Sequence, residues 1–219
     1  MRVLLTGANG QLGSALCEVF GNETVIPKDL PDFDLTRSSV EEEIVGSAPD
    51  LIIHAGAYTD VDGAEREPDL ALAVNAKGTE QIARAAVRLG ARLIYISTDY
   101  VFDGTQRIPY CENDIPRPIN QYGFSKWKGE QVVLASGARA LIIRTAWLYG
   151  TVGKNFVKSI MRAAQREPIL KVVNDQSGCP TYAEDLAAAV ASLVRKDVDG
   201  MIHVTNRGQC TWYEFAQAI

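Results

Sequence analysis

Tyr122 and Lys126 stand four residues apart in Tyr122-Gly123-Phe124-Ser125-Lys126. On a helix that spacing puts both side chains on one face. A phenol titrates near pH ~10 and is a poor proton donor or acceptor at neutrality. An ammonium a few ångströms away is expected to stabilise the phenolate and lower that value. Upstream, Ser97-Thr98-Asp99-Tyr100 closes an apolar run. The Thr98 hydroxyl can hydrogen-bond a carbonyl oxygen beside the Tyr122 hydroxyl, and Lys126 can grip a ribose hydroxyl. Such a trio polarises a carbonyl and delivers a proton while a cofactor delivers hydride. The Tyr-x-x-x-Lys spacing alone is more often an ordinary helix pair with a solvated lysine. Its weight comes from what accompanies it.

The companion is Thr6-Gly7-Ala8-Asn9-Gly10-Gln11-Leu12-Gly13, after the apolar run Val3-Leu4-Leu5 and before a helix-like stretch. Strand, glycine turn and helix form a cradle for phosphate, because the first free N–H groups of the helix point at it. Gly10 lets backbone approach a pyrophosphate closely, and Gly13 lets helix and strand pack. The G-x-x-G-x-x-G spacing is one residue longer than the commonest dinucleotide fingerprint. A P-loop needs Lys-Ser or Lys-Thr after its last glycine, whereas Ser14-Ala15 follows here.

These groups need a scaffold, and the sequence supplies an alternating one. Candidate strands are Val3–Thr6, Thr24–Ile26, Leu51–His54, Leu93–Ser97, Ala140–Arg144, Ile169–Val173 and Met201–Val204. Candidate helices are Gln11–Phe20, Val40–Ser47, Pro68–Leu89, Gln121–Ala135, Asn155–Arg166 and Ala183–Val194. Continuous Val/Ile/Leu strands imply parallel strands buried on both faces. The alternation predicts an α/β, doubly wound parallel sheet of Rossmann type. Long polar connections over 98–119 and 174–181 are placed to carry ligand-binding loops. Thr211 reads as an N-cap for a last helix beginning at Trp212. So short a helix is marginal alone, so further chain or another segment is expected to cover it.

The 219 residues suit one domain, or a domain with a small lobe. A net charge of −5 without a basic run argues against a nucleic-acid partner. No apolar run reaches membrane-spanning length. Cys17, Cys111, Cys179 and Cys210 form no C-x-x-C pair, and with two histidines no metal site is expected. They read as reduced thiols of a cytoplasmic protein, Cys17 in the core, with no signal peptide to remove.

Together these motifs resemble the extended short-chain dehydrogenase/reductases, and within them the dTDP-4-dehydrorhamnose reductase family. The shared stretches include Thr6–Gly13, Phe33-Asp34-Leu35-Thr36, Ala57-Tyr58-Thr59-Asp60-Val61-Asp62, Val74-Asn75-Ala76, Ser97–Gly104, Tyr122–Lys126, Arg144–Gly150, Gly153–Phe156 and Asn174–Thr181. The resemblance implies NADPH or NADH as cofactor, a nucleotide-sugar substrate and reduction of its 4-keto group. It implies catalytic roles for Thr98, Tyr122 and Lys126. Cofactor contacts follow for Gly7, Gly10, Gln11, Leu12, Asp34, Leu35, Ala55, Gly56, Ala57 and Tyr58, besides Tyr122 and Lys126. Substrate contacts follow for Val61, Thr98, Tyr100, Trp147, Asn155, Gln176, Pro180 and Thr181. It treats residues 1–219 as one dinucleotide-binding domain with substrate-side segments near 145–160 and 174–219. Relatives continue past the Trp212–Phe215 helix, so the substrate lobe is expected to be small and incomplete. A homodimer is left open.

One contrast favours a reductase over the related sugar 4,6-dehydratases, which place Asp-Glu after the threonine. Here Asp99-Tyr100 follows Thr98, so the second acid that dehydration uses is missing. The rival readings are a non-catalytic dinucleotide-binding subunit, like the regulator of methionine adenosyltransferase, and a reductase of another 4-keto-6-deoxy nucleotide sugar. His54 stands where the family usually carries Asn and reads as a satisfied core residue. Lys28-Asp29 leaves NADH against NADPH open, because an acid there favours the free 2′-hydroxyl and a base a 2′-phosphate.

Overall fold

The computed structural model describes residues 1–219. Six strands form the central sheet: β1 (Arg2–Thr6), β2 (Thr24–Lys28), β3 (Leu51–His54), β4 (Arg92–Thr98), β5 (Ala140–Thr145) and β9 (Gly200–His203). Their order is β2-β1-β3-β4-β5-β9, every pair parallel. The order reverses between β1 and β3, and a crevice opens at such a switch point beyond the strand ends.

Side chains alternate between the faces of each strand. Val3, Leu5, Leu51, Ile53, Leu141 and Ile143 meet α1 (Gln11–Val19) and α8 (Ala183–Arg195) on one face. Leu4, Ile52, Leu93, Tyr95 and Ile142 meet α2 (Val40–Ser47), α5 (Thr79–Leu89) and α6 (Gln121–Ala135) on the other. Burial on both faces is what the continuous apolar runs predict.

Three elements depart from the sequence reading. Ile169–Val173 is not a strand; Ile169 is 77% exposed and the segment runs irregularly after α7 (Phe156–Ala164). The place beside β5 is taken by β9, and this run pairs with neither outer strand of the sheet. The helix expected over Pro68–Leu89 is split into α4 (Pro68–Leu72), a wide π-helical turn at Ala73–Gly78, and α5. A short helix α3 (Val61–Arg66) precedes them, capped by Asp60, whose Oδ1 accepts from the Gly63 N–H at 2.9 Å.

The segment 174–182 holds two short strands, β7 (Ser177–Gly178) and β8 (Thr181–Tyr182). β8 pairs with β6 (Leu148–Tyr149), and β7 with β10 (Cys210–Thr211), which leads into α9 (Trp212–Ala218). Thr211 caps α9 as expected, in a reciprocal box with Glu214. No helix is long and apolar enough to cross a membrane.

Candidate active site

The glycine turn forms the floor of a cleft of about 600 Å³ at the switch point. Gly10 is the N-cap of α1, in extended conformation and without a side-chain cap. No acid lies in the first turn, so the positive end of α1 faces the cleft open to an anion. A Cβ on Gly13 would lie 1.9 Å from the Gly7 carbonyl oxygen, so only glycine lets α1 come this close to the turn.

Gly7, Gly10, Gln11 and Leu12 line the cleft with Ala55, Gly56 and Ala57 from the end of β3. Thr98, Tyr100, Tyr122 and Lys126 line the β4 and α6 side, and Val61 and Trp147 also face it. The structure therefore brings together residues that lie more than a hundred positions apart in sequence. Trp147 has a positive φ of 47° and stacks on Trp212, with ring centroids 3.5 Å apart.

The catalytic pair is set by the start of α6. Asn120 caps it, Oδ1 accepting from the Gly123 N–H at 2.7 Å. Gly123 lies so close to the Tyr100 carbonyl that a Cβ would sit 2.0 Å from its oxygen. This presses Tyr122 against the turn Asp99–Val101, where its ring meets that of Tyr100 edge-on at 5.5 Å. Burial pushes the Tyr122 phenol above its ordinary value, and the Thr98 hydroxyl pulls it part of the way back. Burial pushes the Asp99 carboxyl up to about 6.

Here the expected effect of Lys126 on the phenol is corrected. Lys126 Nζ donates to the Ile96 carbonyl at 2.7 Å and lies over the Tyr95 ring, 4.2 Å from its centroid. Its ammonium is thus spent on the end of β4, and desolvation governs the phenol. Burial also pushes Lys126 itself down to about 7, against the pull of Glu130.

Seven of the sequence-derived residues lie off the cleft wall. The Asp34 carboxylate closes its own turn, accepting from the Thr36 N–H at 2.9 Å and hydroxyl at 2.8 Å. Leu35 packs into the core beside β3. The Tyr58 hydroxyl donates to Glu67 at 3.1 Å. Asn155 caps α7 and donates its amide to Gln11 Oε1 at 3.0 Å, so it braces the glycine turn from behind. Gln176 is exposed and Pro180 half-buried. Thr181 is buried and its N–H holds the Trp147 carbonyl at 3.1 Å.

Two supporting networks escaped the sequence reading. Asn75, in the π-helical turn, accepts from the Tyr58 N–H at 2.8 Å and donates to the Tyr58 carbonyl at 3.0 Å and Ser125 Oγ at 2.9 Å. It ties the end of β3 to α6; the shared stretch Val74-Asn75-Ala76 pointed to it without assigning it a role. Glu130, one turn beyond Lys126, takes Arg144 of β5 at 2.7 and 2.8 Å and the Ser97 hydroxyl at 2.5 Å.

His54 is satisfied, as expected, and its tautomer can be worked out. Thr79 Oγ1 donates to the Asn75 carbonyl at 2.8 Å, so it accepts from His54 Nε2–H at 3.0 Å. Nδ1 then accepts from Thr6 Oγ1–H at 2.7 Å, and that oxygen accepts from the Gly56 N–H at 3.2 Å. Burial holds the ring neutral, well below its ordinary value.

The model of the RmlD substrate binding domain matches residues 1–219. The dTDP-4-dehydrorhamnose reductase of Sinorhizobium fredii (strain NBRC 101917 / NGR234) is 42% identical, over 100% of this chain and 77% of that protein. The dTDP-4-keto-6-deoxy-D-glucose reductase of Streptomyces niveus is 41% identical, over 99% of this chain and 76% of that protein. The crystal structure of dTDP-4-dehydrorhamnose reductase from Bacillus anthracis str. Ames, in complex with NADP, is 45% identical with a TM-score of 0.95, covering 99% of this chain and 79% of that one. With this likeness running through the glycine turn, the Thr98 strand end and the Tyr122 helix alike, the chain belongs to the dTDP-4-dehydrorhamnose reductase family.

Proposed function

We propose that the protein reduces the 4-keto group of dTDP-4-dehydro-L-rhamnose to give dTDP-L-rhamnose, using NADPH or NADH. The observation that carries this reading is the convergence of Thr98, Tyr122 and Lys126 on one cleft whose floor is the open N-terminus of α1. That cradle fits a dinucleotide: the uncapped N–H groups of Gln11 and Leu12 suit its pyrophosphate, and Gly13 keeps the space clear. A reduced nicotinamide held in this cleft would supply hydride to the C4 carbon.

The protein's own part is polarisation and protonation. The Thr98 hydroxyl, which in the free site donates to Asp99 Oδ1 at 3.1 Å, turns its one proton to the C4 oxygen when substrate binds and fixes its direction. The Tyr122 phenol, held neutral by burial, donates its proton to the same oxygen as negative charge develops there. Lys126 opposes the charge left on the phenolate and holds a ribose hydroxyl. Val61, Tyr100 and Trp147 shape the sugar side of the cleft. Asn155 and Thr181 act on the ligand through Gln11 and the Trp147 backbone, while Gln176 and Pro180 belong to the nucleotide side. Asp34, Leu35 and Tyr58 support the adenine and strand-end segments. The reading includes a cytoplasmic location, a nucleotide-sugar partner with no nucleic acid, and a homodimer as the assembly to test.

The likeness to the Streptomyces niveus enzyme gives the second reading, a reductase of another 4-keto-6-deoxy nucleotide sugar. Oxidation of NAD(P)H followed at 340 nm against a panel of 4-keto sugar nucleotides separates the two. Tyr122→Phe should abolish turnover with the preferred substrate while leaving dinucleotide binding intact. Unchanged turnover in that variant would refute the assignment. Dinucleotide binding without turnover of any sugar would favour the regulatory subunit.

A further inference from the structure

Resting on the reductase reading above, we infer that Asp99 is a positioning residue that acts as a neutral acid, donating to Thr98 Oγ1 so that the threonine proton is free for the C4 oxygen. Thr98 has one hydroxyl proton and two lone pairs to place. In the free site the proton goes to Asp99 Oδ1 at 3.1 Å, and one lone pair accepts from the Tyr100 N–H at 3.2 Å. Reduction needs that proton at the C4 oxygen. If Asp99 is ionised, turning the hydroxyl to substrate strips a buried carboxylate of its one side-chain hydrogen bond, and a buried charge left so is costly. If Asp99 is neutral, its own O–H donates to the second lone pair of Thr98 Oγ1. Every position on the threonine oxygen is then filled: Tyr100 and Asp99 donate to it, and its proton points to substrate. Asp99 keeps its proton throughout, so the proton delivered to the C4 oxygen is still that of Tyr122.

The surroundings suit a neutral carboxyl. Asp99 stands where β4 ends, in the wall between the main cleft and a second hollow of about 370 Å³, and it lines both. The second hollow gives it a route for proton exchange that substrate in the cleft does not block. Burial pushes the carboxyl up to about 6, against the Thr98 hydroxyl and the N–H groups of Asp99 and Tyr100. No cation offsets that burial. On the cleft side the phenols of Tyr100 and Tyr122 face it, both raised above their ordinary value by burial and so neutral. The Lys126 ammonium is held by the Ile96 carbonyl. On the side of the second hollow stand Arg107, Tyr110, Arg144, Cys179 and His203. Arg144 is paired with Glu130 at 2.7 Å, and Arg107 is exposed. The Tyr110 hydroxyl donates to Asp103 at 2.7 Å, and burial holds His203 below its ordinary value.

The test is the pH dependence of kcat/KM for the preferred 4-keto sugar nucleotide, followed through NAD(P)H oxidation, in wild type and in Asp99→Asn. A neutral carboxyl is lost as pH rises, so the wild-type value should fall above pH ~6, about tenfold per unit. Lys126, held at about 7, adds a later limb of its own. Asparagine cannot ionise, and its amide N–H can donate to Thr98 Oγ1 as the neutral acid does. In Asp99→Asn the earlier limb should vanish, leaving the fall near pH ~7, and the variant should overtake wild type by about threefold or more at pH ~8. A merely structural role for Asp99 would lower the rate without moving the limb. A variant that keeps the wild-type limb, or is slower than wild type at every pH, would overturn the inference. So would a wild-type profile that stays flat up to pH ~7, a measurement that needs no variant to fold. Absence of turnover with every 4-keto sugar nucleotide would instead remove the reductase reading, and the inference with it, so the two failures are distinguishable.

Discussion

In Lys126, function and burial pull in opposite directions. The side chain is 3% exposed, and its ammonium is held at about 7 instead of 10.5. The unfolded chain keeps the ordinary value. Between these limits the unfolded state therefore binds a proton that the folded state does not, and stability must rise with pH. At ~1.4 kcal/mol for each tenfold change in proton affinity, the penalty is on the order of 5 kcal/mol below pH 7. It falls to about 3 kcal/mol at pH 8 and to under ~1 kcal/mol at pH 10. Lys126→Met keeps an unbranched stem and removes the charge. It also forfeits the bond to the Ile96 carbonyl, worth ~1.5–3 kcal/mol. At pH 7 the variant should thus be the more stable protein by about 2 kcal/mol. That advantage should shrink by about 4 kcal/mol between pH 7 and pH 10 and change sign on the way. Urea unfolding of both proteins at several pH values measures it, and the difference between them cancels the titrating groups that do not couple to Lys126, as His54 and Glu130 do. A difference that stays flat across this range would refute burial as the cause. The same variant should fail in turnover, because the cleft loses the ammonium proposed to hold a ribose hydroxyl.

Other expectations follow from the surrounding packing. Glu130→Ala leaves the buried Arg144 guanidinium without its partner and should cost ~3–5 kcal/mol in urea unfolding; joint replacement of both by apolar residues should restore most of that. Gly13→Ala pushes the glycine turn by more than an ångström, since its Cβ would start 1.9 Å from the Gly7 oxygen. NADH oxidation in that variant should fall on the order of 100-fold with the global fold retained by circular dichroism. His54→Leu leaves the Thr6 O–H without an acceptor, while Thr79 keeps its bond to the Asn75 carbonyl, and should destabilise by ~1–3 kcal/mol. His54→Asn, which offers both a donor and an acceptor, should recover part of the loss; equal damage in both variants would show that ring volume and not hydrogen bonding is what matters there.

Much of the fold could be read from the chain because both faces of the sheet are buried. Leu51–His54 and Leu141–Ile143 have no polar side, and only a sandwiched parallel strand tolerates that. Ile169–Val173, apolar but for Lys171, is not a strand. Composition reports what a segment tolerates, whereas pairing depends on where the chain carries it, and the place beside β5 goes to β9. The break in Pro68–Leu89 was hidden for a related reason. Its apolar spacing is helical on both sides of Asn75, and the widened turn answers to partners on Tyr58 and Ser125 that are distant in sequence.

The residues of the site were legible for the same reason that their electrostatics were not. Thr98, Tyr122 and Lys126 are fixed by strand end and helix start, and these elements announce themselves locally. Protonation depends on what surrounds them in three dimensions. Spacing alone suggested an ammonium lowering a phenol; the fold turns that ammonium to the Ile96 carbonyl and buries the phenol. The consequence bears on chemistry. A phenol held above its ordinary value is protonated at neutral pH, so it meets a keto sugar as an acid, the form that reduction consumes. The reverse reaction has to begin from the scarce phenolate. With Asp99 followed by Tyr100 and not by a second acid, the proton inventory near Thr98 suits a single donation, and the Lys126 charge is needed only after the proton has left. Burial of both groups thus sets the resting state, a neutral phenol, which the Tyr-x-x-x-Lys spacing by itself does not specify.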